Sequence, residues 1–128
     1  IGKNTTCNLR ADGTLKDSAQ KTFRGTIDFK RGCKGSVGAE QENVLLLGED
    51  VVNKTIPLIL CAEEDVQGDH GASIGELDED TLFFFGSRGI DPLTAENILT
   101  REKLYRLAET MGREDMAQSA RAAIEEVL

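Results

Sequence analysis

Near Glu76 the sequence changes period, and each side of that point admits a different kind of secondary structure. Before it, apolar residues come in short runs: CNLRA, KTFRGTIDF, ENVLLL, TIPLILCA and HGASIG. The stretches between them, ADGTLKD, KRGCKGS and GEDVVNK, are rich in turn formers and charge. Phe23, Gly25, Ile27 and Phe29 alternate with Thr22, Arg24, Thr26 and Asp28, so one face of that strand is buried and the other polar. Strands without helices between them exclude a βαβ architecture and leave a sandwich, a barrel or a solenoid open. Asp12-Gly13 is the strongest two-residue turn candidate. Strands returning after roughly 15 to 25 residues suit stacked coils.

After Gly75 the pattern is helical. Asp78 is a good N-cap, with Glu79 and Asp80 placed favourably against the helix dipole. Leu82 and Phe83, Phe84 and Phe85 follow, and Gly89 supplies a left-handed stop. Asp91-Pro92 restarts the chain, because Asp caps and Pro fits the first helical position. Leu104, Leu107, Ala108 and Met111 mark the apolar face of this second helix. Gly112 interrupts it, and Met116, Ala120, Ala123, Ile124 and Val127 line a third. The expected division is a β-rich part, residues 1–76, and a helical part, residues 77–128. Three successive phenylalanines cannot all point inward, so the first helix is a candidate docking surface.

Composition narrows the function. Fifteen Lys and Arg stand against 23 Asp and Glu, a net charge of -8. Acidity of that size repels phosphate backbones and argues against nucleic acid as a partner. No apolar run approaches the roughly 18 residues of a membrane span, and no signal peptide is visible. The first residue is Ile1, which suggests a processed or partial chain. Cys7, Cys33 and Cys61 are odd in number and contain no CxxC pair, against a disulfide framework or a self-contained zinc site. A reducing cytoplasm is the simplest compartment.

The only histidine, His70, lies between Gly68 and Gly71 in what reads as a glycine-flanked turn. Histidine titrates near neutrality and binds metals through neutral imidazole, but a turn or core histidine satisfied by a carbonyl fits the pattern too. No nucleophile elbow accompanies it: Ser73, three residues on, would point to the opposite face of a strand. GEDVVNK lacks the ending of a phosphate-binding P-loop. The carboxylates Glu63, Glu64, Asp65, Asp78, Glu79 and Asp80 read as solvated charge and capping. The residues alone point to a β-body with a protein-docking helical tail and no catalytic centre.

The order of several segments resembles the SufB/SufD family of iron–sulfur cluster assembly proteins. Phe23-Arg24-Gly25, the run Asn43 to Leu47, Asp65-Val66, His70-Gly71-Ala72, Leu77-Asp78 and Ser87-Arg88-Gly89-Ile90 form a linked series. The similarity extends from Leu15 to Leu99, about two-thirds of the chain. The resemblance implies a mainly β protein, a right-handed parallel β-helix (solenoid) fragment followed by a C-terminal α-helical subdomain. It implies a non-catalytic scaffold that pairs through the β-helix with a SufB/SufD-type sibling or a second copy. The helical part would dock a SufC-type ABC ATPase, here through Phe83, Phe84, Phe85 and Arg88. An iron–sulfur cluster would form in the assembled complex, with His70 at the pairing interface as a metal ligand or proton relay.

Three positions depart from the family pattern. In the SufB branch a cysteine stands at the position of Glu42 and a glutamate at that of Gly71; many SufD-like members carry a cysteine at that of Gly68. His70-Gly71-Ala72 is the more SufD-like form. With the thiolates missing, an adaptor of the same fold that has lost cluster chemistry is the alternative, and a hydrolase or transferase using His70 is a third reading.

Overall fold

The computed structural model describes residues 2–128. Five strands come first: β1 (Thr6–Lys16), β2 (Gln20–Phe29), β3 (Ser36–Leu47), β4 (Val52–Cys61) and β5 (Val66–Glu76). Three helices follow: α1 (Glu79–Gly86), α2 (Pro92–Glu109) and α3 (Glu114–Val127). All strand pairs are parallel, and successive strands enter alternate sheets: one sheet has the order β1-β3-β5, the other β2-β4.

The expected right-handed parallel β-helix is not what these strands form. They make two separate open sheets, of three and two strands, and no closed solenoid. With three helices attached, the arrangement is mixed α and β rather than mainly β. Asp12-Gly13 is not a turn; it lies inside β1, paired with Asn43 and Val44. Nor is His70 in a glycine-flanked turn: Val66 to Glu76 run as one strand, and neither Gly68 nor Gly71 has positive φ. Pairing along the full length of β3 overrides the weak strand propensity of Gly and Asp at these positions.

The alternation in β2 does set its faces. Gly25, Ile27 and Phe29 are buried, while Arg24, Thr26 and Asp28 are exposed. Ile27, Phe29 and Cys33 form the core, with Leu9, Ile59 and Val66 packed against it. The facing sheet makes room by using glycine. A Cβ on Gly38 would lie 2.8 Å from Ile27 Cγ2 and 2.9 Å from Phe29 Cζ; on Gly68 it would lie 3.0 Å from Ile59 Cγ2. Large side chains on one sheet thus interdigitate with glycines on the other, giving close packing without strain.

The first two helices are capped as their sequence suggests. The Asp78 carboxylate accepts from the Thr81 N–H at 2.7 Å, and Asp91 accepts from the Thr94 N–H at 3.0 Å and its hydroxyl at 2.6 Å. These bonds hold both carboxyls below their usual values. Gly89 and Gly112 take positive φ where α1 and α2 end. α2 joins the strands through Lys16–Glu96 at 3.1 Å and through Lys103 Nζ, which donates to Asn43 Oδ1 at 2.8 Å. α3 starts at Arg113 without a side-chain cap.

Candidate functional site

The strands meet in a cleft of about 230 Å³ lined by Glu40, Glu42, Thr55, Pro57, His70, Gly71 and Ala72. Three strands supply these residues, and register explains why they converge. Glu40 pairs with His70 and Glu42 with Ala72, so all four leave the same side of the three-stranded sheet. Thr55 and Pro57 come from β4 in the opposing sheet. β5 is the last strand of its sheet and exposed along most of its length, so the cleft opens at its end and His70 is exposed.

Glu42 is buried and fully engaged. Its carboxylate accepts from Lys21 Nζ and Thr55 Oγ1, and from Asn53 Nδ2 at 3.4 Å. Burial pushes its carboxyl up, but the Lys21 and Thr55 hydrogen bonds, the Lys21 charge and the Asn53 amide outweigh that and hold it below the usual value. Glu40 is only 2% exposed, and neither of its carboxylate oxygens has a hydrogen-bond partner among the described residues.

The cleft lacks thiols. Cys33 is buried in the core, and the exposed Cys7 and Cys61 do not line it. Among the described residues no group of three or more His, Cys, Asp or Glu could hold a metal ion. This chain therefore brings one imidazole and two carboxylates to the cleft.

A second candidate surface is α1, none of whose residues is buried. Phe83 is 77% exposed and Phe84 52%, while Phe85 is half-buried, its ring edge-on to Phe84 at 5.9 Å. Arg88 stacks on Phe84, its Cζ 3.7 Å from the ring centroid, and its Nη1 donates to the Phe84 carbonyl at 3.1 Å. Its guanidinium thus also caps the helix C-terminus. The structure does not bring these four residues together with His70: the aromatic helix and the cleft are separate sites.

The sequence profile described as "SUF system FeS cluster assembly, SufBD core domain" matches residues 1–103. The chain belongs to the SufBD core family. It is 32% identical over 99 residues to the iron-sulfur cluster assembly protein SufD of Bacillus subtilis, covering 77% of this chain and 23% of that protein. Against Escherichia coli SufD the identity is 28% over 120 residues, 92% of this chain and 28% of the relative. A SufBD family protein of Synechocystis is 28% identical over 99 residues. The chain thus spans about a quarter of the length of these relatives.

The SufBD resemblance pointed to His70 but passed over Glu40, Lys21 and Thr55, and noted Glu42 only for the cysteine it replaces. A usable signal was present. Ser36, Gly38, Glu40, Glu42 and Val44 continue the inward alternation of β3. Two carboxylates at inward positions of a strand demand partners or a role.

Proposed function

We propose that this SufBD-family chain takes part in iron–sulfur cluster assembly as a non-catalytic scaffold subunit. It pairs with a SufB/SufD-type sibling or a second copy through its β4–β5 end, and docks a SufC-type ABC ATPase through its helices. The division into residues 1–76 for pairing and 77–128 for docking is part of this proposal. The observation that carries it is His70, exposed on an edge strand and facing a cleft that lacks thiols. A ligand so placed is useful only if another chain completes the site.

Two further features support pairing at this end. Ile56, Leu58 and Leu60 project from the outer face of β4 and are each about half exposed, and Ile74 on β5 is 48% exposed. The unpaired edges of β4 and β5 offer backbone groups for strand addition. For ATPase docking, Phe83 and Phe84 offer aromatic anchors of the kind that dominate interface energies. The cluster is cargo of the assembly, with His70 as a borderline ligand for iron.

The test is anaerobic reconstitution with iron and sulfide, the chain being co-purified with SufB-type and SufC-type partners. Leu58→Asp is expected to weaken pairing, Phe83→Asp with Phe84→Asp to weaken ATPase capture, and His70→Ala to lower cluster yield with the complex intact. An intact complex whose yield is indifferent to His70→Ala would replace the scaffold reading with the adaptor that has lost cluster chemistry, which the thiol-free cleft favours. Failure to form any complex would remove both.

A further inference from the structure

The outer face of the three-stranded sheet carries a second polar hollow, on the opposite side from the cleft. Glu40, Glu42 and Val44 take the inward positions of β3, so Gln41 and Asn43 point outward. Register sets Arg10 of β1 and Gly71 of β5 beside Gln41, and Asp12 and Ser73 beside Asn43. Gly71 and Ser73 are short, so a hollow of about 320 Å³ opens over them, many times the share of one water. The Asp12 side chain is only 4% exposed. Its Oδ2 accepts from Arg10 Nε at 2.7 Å, whereas its Oδ1 is buried with no hydrogen-bond partner among the described residues. A buried carboxylate oxygen without a donor is costly to keep. Arg10, by contrast, is half exposed and engaged only through Nε among the described residues, which leaves its Nη groups to donate. Asn43 gives its Oδ1 to Lys103 Nζ at 2.8 Å, so its amide N–H groups remain as donors too.

The geometry points to this hollow as a binding site for a small free α-amino acid in its zwitterionic form. The half-exposed Arg10 side chain turns from Asp12 to the ligand carboxylate and so uncovers Asp12 Oδ1 for the ligand ammonium. The carboxylate takes a bidentate pair from the Arg10 Nη groups and a further bond from the Asn43 amide. Two ion pairs with the ligand thus replace the one between Arg10 and Asp12. The ligand side chain runs out over Gly71, where an added Cβ meets nothing within 4 Å. Simpler ligands match the lining less well. An inorganic anion would meet Asp12, a bare ammonium would meet Arg10, and a neutral polyol would leave both charges unmatched. The site goes beyond the scaffold reading and does not rest on it.

The test is a titration of L-alanine into the isotope-labelled 128-residue chain, followed by nuclear magnetic resonance of its amide groups. Saturable shifts are expected at Gly71, Ser73 and the Asn43 side-chain amide, with a dissociation constant of about 1 mM or tighter. L-Alaninamide, which lacks the carboxylate, and N-acetyl-L-alanine, which lacks the ammonium, should each bind at least tenfold more weakly. Asp12→Asn and Arg10→Gln should each weaken L-alanine at least tenfold, whereas Glu64→Gln and Glu109→Gln elsewhere on the surface should not. Gly71→Val fills the hollow and should block binding while melting near the parent temperature. If Asp12→Asn unfolds, Gly71→Val and the two analogues still decide. No saturable shift in the parent, an analogue that binds as tightly as L-alanine, or undiminished binding in Gly71→Val would overturn the proposal. Each of those results would leave complex formation and cluster yield, the measures of the scaffold reading, untouched.

Discussion

Replacing Lys21 by Met tests the Glu42 network, because it keeps most of the aliphatic stem and removes the cation. The Glu42 side chain is 1% exposed and that of Lys21 25%, so the carboxylate bears the larger desolvation cost. Without Lys21, Glu42 keeps only Thr55 Oγ1 and the long Asn53 contact. Breaking a buried pair from one side costs roughly 3–5 kcal/mol, and the retained Thr55 bond places Lys21→Met at the lower end, about 3 kcal/mol. For a chain of this size each kcal/mol moves the midpoint by roughly 3–5 °C, so a loss of roughly 10–15 °C at pH 7 is expected.

The pH dependence carries a second signature. Glu42 has a lowered carboxyl pKa when folded, so its contribution is present above the unfolded value and lost as pH falls through the folded one. In Lys21→Met, burial is opposed only by Thr55 and Asn53, so the folded carboxyl is held down less than in the parent and less stability is lost in acid at that group. The gap between parent and variant should therefore narrow between pH 7 and pH 4, as followed by circular dichroism melts. Lys21→Met with Glu42→Gln should recover most of the loss. A midpoint within 2 °C of the parent at pH 7, or a gap that widens in acid, would refute the network as described.

Other outcomes follow from the packing and the caps. Gly68→Ala should cost about 1–3 kcal/mol by overpacking against Ile59 and Phe29, whereas Gly71→Ala, with nothing within 4 Å of its Cβ, should leave the melting temperature nearly unchanged. Gly38→Ala should be at least as damaging as Gly68→Ala, because its Cβ would meet Ile27 and Phe29 more closely. Asp91→Ala should reduce helical circular dichroism at neutral pH. The difference from the parent should shrink in acid, because the lowered Asp91 carboxyl caps α2 more strongly ionised than protonated.

How much was legible depended on how local the cause was. The alternation of Phe23 to Phe29 and the caps at Asp78 and Asp91-Pro92 could be read directly, because they follow from backbone geometry within a few residues. The strand ends could not. Asp12-Gly13 and Gly68 to Gly71 carry turn chemistry, yet pairing along β3 holds them extended. The inward carboxylates were missed for the same reason: β3 begins at Ser36, well before the apolar run at Asn43 to Leu47 that marks it in the sequence.

From the residue order alone came the number of strands, the helices and their caps, and a motif series specific enough to indicate the SufBD family. Only the tertiary structure decided that the strands form two open sheets with mixed α and β character instead of a β-helix, and that Glu40, opposite His70 in register, has no hydrogen-bond partner among the described residues. Propensity and capping act between neighbours along the chain. Sheet closure and the pairing of a buried charge depend on residues some thirty positions apart, whose register no local pattern specifies.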